Sequence, residues 1–166
     1  MALIITSFHL AILFIAAAVF IAAAVSDVHS YRIPNYNCGL LLLLFPAFAA
    51  TSPYPVDWLR NIAVFGIMSA IGFAAFSAHL MGAGDIKLLS VASLWAGLHS
   101  LAVLLLVTAF VGGIESIVMA IALGLKLPKN DRMPRALKAQ IPYGVAIAAG
   151  GVAVLGLMAR PILLSD

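Results

Sequence analysis

Two acids, Asp27 and Asp85, stand at the edges of long apolar stretches in a chain that otherwise keeps charge out of them. An ionisable side chain at membrane depth costs roughly 2.5–3.5 kcal/mol on insertion scales, so it normally lines a cavity, meets a partner or performs a reaction. Each acid is the other's best companion, because both are placed near a helix end on the same side. A pair of carboxyls can hydrolyse a peptide bond: the ionised one accepts a proton from water while the protonated one polarises the scissile carbonyl. Close like charges cannot both ionise, so such a pair titrates as a unit. Helix ends are expected to divide the roles. Asp85 opens a helix, whose positive dipole end suits a carboxylate base, and Asp27 closes one, whose negative end suits a proton donor.

Around Asp85 the chain reads Met81-Gly82-Ala83-Gly84-Asp85-Ile86-Lys87-Leu88-Leu89. Gly82 and Gly84 admit backbone angles closed to other residues and leave room for a substrate strand. Alone, Gly-x-Gly-Asp is unspecific, since the same residues build a membrane turn in which the acid caps a helix. Asp27 is followed by a polar stretch ending in Ile33-Pro34-Asn35, where proline disfavours helix before it and suits a helical first turn after it. Arg32, Asn35 and Lys87 flank the two acids and are expected to position them or touch substrate.

These residues must be held by membrane helices. Of the 166 residues, 64% are hydrophobic and only 9% charged, against about 25% charged in soluble domains; the mean hydropathy is +1.16. An all-α, polytopic membrane protein follows, with residues 1–166 as one domain. Apolar runs predict six helices at 3–25, 36–50, 58–79, 86–96, 101–125 and 141–164. The first is read as a span and not a signal peptide, because no basic residue precedes it and it exceeds a signal core. The fourth covers only about 17 Å, and charge decides whether it crosses. Six crossings put Arg32, Lys87, Lys126, Lys129, Arg132, Arg135 and Lys138 on one side and leave Arg60 and Arg160 on the other. The positive-inside rule then places Asp27 and Asp85 at the cytoplasmic face and both termini outside.

Other residues carry less. Cys38 is the single cysteine, which excludes an internal disulfide or a four-cysteine zinc site. His9, His29, His79 and His99 are too scattered for a metal centre, so no metal and no cofactor are expected. The net charge of +3 lies beside the spans and reads as orientation, not nucleic-acid binding. The basic cluster from Lys129 to Lys138 is expected to meet anionic lipid. Glu115, deep in the fifth helix, is a third acid with a structural or a substrate-tuning role. Gly112 and Gly113 beside it permit close helix packing.

Asp27 with Ile33-Pro34-Asn35, together with Gly82-Ala83-Gly84-Asp85-Ile86-Lys87-Leu88 at the start of the fourth of six spans, resembles the prepilin peptidases, which include the preflagellin peptidases. The resemblance covers essentially the whole chain. It implies that Asp27 and Asp85 are the catalytic pair of an aspartyl endopeptidase in the cytoplasmic (inner) membrane. The implied partner is a pilin-like precursor, cut after a glycine just before its hydrophobic helix. Long members of that family carry an extra cytoplasmic domain, often with paired cysteines, and methylate the new N-terminus. This chain has neither feature and is similar to the short branch that accompanies Flp-type, tight-adherence pili, so proteolysis without methylation is expected. Two rivals are a small proton-coupled transporter or channel subunit and an inert pilus-assembly scaffold. A proton pathway would place acids near the midplane, whereas these sit at helix ends.

Overall fold

The computed structural model describes residues 2–126 and 142–164, all helical or in short connections. Five helices follow in order: α1 (Ala2–Ser30), α2 (Asn35–Thr51), α3 (Trp58–Ser77), α4 (Ala83–Lys126) and α5 (Tyr143–Leu163). No strand occurs among the described residues. Four stretches are long and apolar enough to cross a membrane, in α1, α3, α4 and α5; α2, with 17 residues, is shorter. The chain is thus a multi-pass membrane protein by length and composition.

α1 outruns the apolar segment that predicts it. Its last turn is polar but stays helical because side chains bond back into it: Ser30 Oγ donates to the Ser26 carbonyl at 2.7 Å, and His29 Nδ1 lies 2.9 Å from the Val25 carbonyl. Asp27, expected at the end of the helix, therefore sits one turn inside it. α3 starts as expected at Trp58, where Asp57 accepts the Arg60 backbone N–H at 3.1 Å and caps the helix.

α4 holds the expected fourth and fifth helices in one 44-residue element with a non-helical Gly97 in its middle, at φ 54 and ψ −170. The chain reverses there. On the first arm Leu94 accepts a hydrogen bond from Asn61 near the start of α3, while Gly84 lies under Ile33. On the second arm Leu104 packs on Gly150, and Gly112 packs on Tyr143 at the start of α5. Both arms thus run between the same two ends of the bundle. The first, about 14 residues, reaches about 20 Å.

α4 packs on α3 and α5, α1 on α5 and α2, and α2 more lightly on α4. Between helices in lipid there is little hydrophobic drive, so close packing and hydrogen bonds carry association. Phe20, Leu41, Leu88, Leu104, Ile147 and Val154 are fully buried in the core. Trp95 meets Phe45 edge-on and Phe48 at a tilt, and donates its indole N–H to the Leu41 carbonyl at 3.1 Å. His9 is buried beside Phe48 with Nδ1 3.2 Å from Thr51 Oγ1, a packing role. One end of the bundle gathers the end of α1 and the starts of α2, α4 and α5; the acids lie there.

Candidate functional site

Asp27 is 5% exposed. Its Oδ2 accepts the backbone N–H of Gly144 at 2.7 Å, and Gly144 is the second residue of α5, just after Pro142 and Tyr143. A proline before a helix followed by a residue without a side chain leaves a helix N-terminus bare, and its free N–H groups bind an anion. A Cβ on Gly144 would lie 2.7 Å from that oxygen and 2.9 Å from Ile33 Cδ1. The approach therefore depends on glycine.

Asp85 lies in the first turn of α4, half-buried. Its Oδ2 reaches back to Gly82, where an added Cβ would lie 3.0 Å from it, and Ile86 N donates to the Gly82 carbonyl at 3.2 Å. The arrangement is a helix cap in which the acid of the third position reaches back to the residue before the helix. Asp27 lies within electrostatic reach of Asp85 and also of Glu115.

The connection between α1 and α2 closes the space between the acids. Tyr31 takes φ 50, and its N–H donates to the Asp27 carbonyl at 2.8 Å; Ser26 Oγ donates to the Arg32 carbonyl at 3.0 Å. These bonds aim Ile33 inward, so that one side chain touches the positions of both Gly84 and Gly144. Ile33 is the wedge that sets the spacing of α4 from α5 beneath the two aspartates.

Each flanking residue named from the sequence has a definite place. Lys87 Nζ donates to Asn35 Oδ1 at 2.9 Å, tying the first turn of α4 to the first residue of α2. Arg32 is exposed, and among the described residues its carbonyl is the group engaged. Among the described residues the ion pair is that of Arg60 with Asp57, so neither Lys87 nor Arg32 forms one with Asp85 or Asp27. Gly82 and Gly84 do not use left-handed angles; among the described residues Gly97 is the glycine that does. Gly84 instead leaves room for Ile33, whose Cβ would be 3.3 Å from an added Cβ. The helix-end division of roles loses its premise, since Asp27, like Asp85, meets the N-terminus of a helix. The basic cluster at 129–138 lies outside the described residues.

Gly144 is the residue that sequence reasoning passed over, and Ile33, quoted there as part of Ile33-Pro34-Asn35, was given no contact of its own. Ile141-Pro142-Tyr143-Gly144 carried the available signal, a proline-led helix start with no side chain two residues on. Among the described residues no group of three His, Cys, Asp or Glu could hold a metal ion. What the site can do is hold two carboxyls near one another, one well enclosed and one half open, at the end of a helical bundle.

No curated protein and no solved structure matches the chain. The type IV leader peptidase family model matches residues 11–117, a stretch that contains Asp27, Asp85 and Glu115. With more than half of its length matched and both acids inside the match, the chain belongs to the type IV leader peptidase family.

Proposed function

We propose that this protein is an intramembrane aspartyl endopeptidase that removes the leader of pilin-like precursors, with Asp27 and Asp85 activating the water. The observation that carries the reading is the placement of two acids from distant parts of the sequence at one end of the bundle, Asp27 on the N-terminus of α5 and Asp85 in the first turn of α4. In the reaction, the ionised carboxylate takes a proton from water as the oxygen attacks the scissile carbonyl, and the protonated carboxyl gives its proton to the carbonyl oxygen. Collapse of the tetrahedral intermediate breaks the C–N bond as the amine leaves with the proton taken from water, while one hydroxyl of the intermediate returns its proton to the other carboxylate, leaving the new carboxyl group and restoring the acid.

In the same reading residues 1–166 act as one membrane-embedded domain that crosses six times, with α2 and the first arm of α4 as short crossings. Arg32 and Lys87 lie at the acids' end, which is also the end toward which α4 runs out at Lys126 and from which α5 starts at Tyr143; Arg60 and Arg160 belong to the other end. This asymmetry supports an active site on the cytoplasmic face of the inner membrane and both termini outside. We assign the chain to the short, Flp-associated branch, cleaving without methyl transfer.

The test is co-expression of a pilin-like precursor with the wild-type chain or with Asp27→Asn or Asp85→Asn. Processing by the wild type and its loss in both variants is expected. Processing that survives either substitution would remove the mechanism, and methyl transfer from S-adenosylmethionine by the purified chain would remove the branch assignment.

A further inference from the structure

Glu115 takes no part in the mechanism above, yet its Oε2 is enclosed and has no hydrogen-bond partner among the described residues. The packing of the second arm of α4 on α5 says where that carboxyl lies. Leu104 and Thr108 lie against Gly150, and Gly112 lies against Ala146 and Tyr143, so the two helices run antiparallel. At about 100° per residue, Leu104, Thr108, Gly112 and Glu115 fall within roughly 80° of arc, and Glu115 shares the face that packs on α5. Three residues beyond Gly112 is about 4.5 Å toward the acids' end, and side chains lean back toward the start of their own helix. The Glu115 carboxyl is therefore level with the first turn of α5, where the Gly144 N–H holds Asp27 Oδ2.

Two carboxyls thus reach one helix N-terminus, from α1 and from the second arm of α4. Asp27 acts electrostatically on Glu115 as well as on Asp85, which makes it the acid that the other two have in common. A single proton on the shared acid relieves both repulsions, whereas a proton on either of the others leaves one in place. Asp27 is also the most enclosed of the three, Asp85 and Glu115 being half-buried, and burial favours the neutral form. The Gly144 N–H opposes this, but it engages Oδ2 and leaves Oδ1 for the proton. The other ionisable groups at this end compete little. His29, Tyr31, Arg32, Tyr36, Lys87 and Tyr143 are exposed, where water and salt screen charge; Cys38 is buried on the side of α2 that faces α3 and the first arm of α4.

We propose that Glu115 is a positioning residue of the site: its carboxylate, seated beside the start of α5, keeps the proton of the catalytic pair on Asp27 and so makes Asp85 the base. The proposal rests on the peptidase reading above and adds which acid does what, on grounds independent of the dipole of α1. Asp85 takes the proton from water, and Asp27 gives its own to the scissile carbonyl. Glu115 acts through Asp27 and transfers no proton itself.

The experiment has two arms. Glu115 is the only glutamate of the chain, so carbon-13 carboxyl labels on glutamate and on aspartate follow it and Asp27 in the purified protein without precursor, with Asp27→Asn identifying the Asp27 signal. As pH rises, Glu115 is expected to lose its proton before Asp27. Glu115→Gln removes a negative charge, which makes the Asp27 anion easier to form, so the Asp27 midpoint is expected to fall by about one pH unit, tenfold in proton affinity. In the second arm, kcat/KM for a pilin-like precursor is measured against pH. Its alkaline limb marks loss of the protonated acid, so Glu115→Gln is expected to move that limb to lower pH by the same amount, while Glu115→Asp, which keeps the charge, holds it nearer the wild-type position. A carboxyl that only packs would leave the limb in place. Glu115 keeping its proton after Asp27 has lost its own, or an Asp27 midpoint or alkaline limb unmoved by Glu115→Gln, would overturn the proposal. The order of proton loss is read on the wild-type chain, so the proposal remains open to refutation where Glu115→Gln fails to fold. A chain that titrates as described but cleaves no precursor sinks the peptidase reading instead.

Discussion

Gly144 gives its backbone N–H to Asp27 Oδ2 at 2.7 Å, joining the start of α5 to the end of α1 across 117 positions of chain. One hydrogen bond thus fixes an acid and closes the bundle. Adding a methyl group at Gly144 places a carbon in contact with both Asp27 and Ile33. Ile33 Cδ1 can swing aside, but Asp27 Cβ is fixed to the backbone of α1 and cannot, and overpacking of this kind costs about 1–3 kcal/mol. Displacing a reacting group by about 1 Å lowers rates on the order of 100-fold. Gly144→Ala is therefore expected to fold with a lowered unfolding midpoint and to lose cleavage nearly as completely as Asp27→Asn. Wild-type cleavage by purified Gly144→Ala would show that the contact does not hold the acid in its working place.

The contrast between Asp27 and Gly144 also shows what a sequence can and cannot disclose. Proline at 34, 53 and 55 and glycine at 97 mark interruptions in the helices because their backbone restrictions are local. Asp27 and Asp85 stood out because charge is costly among apolar residues. Gly144 did not, because its role lies in what approaches it, and that depends on α1 and α5 packing side by side. The polar last turn of α1 differs from expectation for a related reason: His29 and Ser30 read as loop residues by composition, yet their side chains bond back to the Val25 and Ser26 carbonyls of their own helix and keep it wound.

Lys87 and Asn35 are both exposed, so their bond matters for position more than for stability. An exposed pair of this kind contributes under about 1 kcal/mol. Lys87→Met and Asn35→Ala are each expected to leave the unfolding midpoint nearly unchanged and to lower kcat/KM several-fold by freeing the first turn of α4 from α2. The double variant is expected to be no worse than the poorer single one, because both remove the same tie. Additive losses in a double-mutant cycle on cleavage would mean that the two residues act separately.

Among the described residues Glu115 Oε2 is buried without a hydrogen-bond partner. An unsatisfied buried oxygen costs about 1–3 kcal/mol, whereas an apolar group of similar shape carries no such penalty. Glu115→Met is thus expected to hold or raise the unfolding temperature, by about 2–4 °C per kcal/mol for a chain of this size. A fall in the midpoint, measured in the same detergent, would mean that this oxygen has a partner in the folded protein.

Gly97 and Gly66 make a matched pair for testing the reversal in α4. Gly97 occupies a region of backbone space that is essentially closed to side chains, and a Cβ there would strike the Asn61 side chain. Asn61 Nδ2 in turn donates at 3.0 Å to the Leu94 carbonyl, replacing a helical bond lost at the break. Gly66, inside α3, is helical and has nothing within 4 Å of an added Cβ. Alanine at Gly66 is expected to stabilise by up to about 1 kcal/mol through helix propensity, while Gly97→Ala destabilises by about 1–3 kcal/mol. Because the first arm of α4 carries Asp85, Gly97→Ala is also expected to depress cleavage from the far end of the bundle, and Asn61→Ala to do so more weakly. Equal unfolding midpoints for Gly97→Ala and Gly66→Ala would place the turn elsewhere in α4, and with it the reason that Asp85 returns to Asp27.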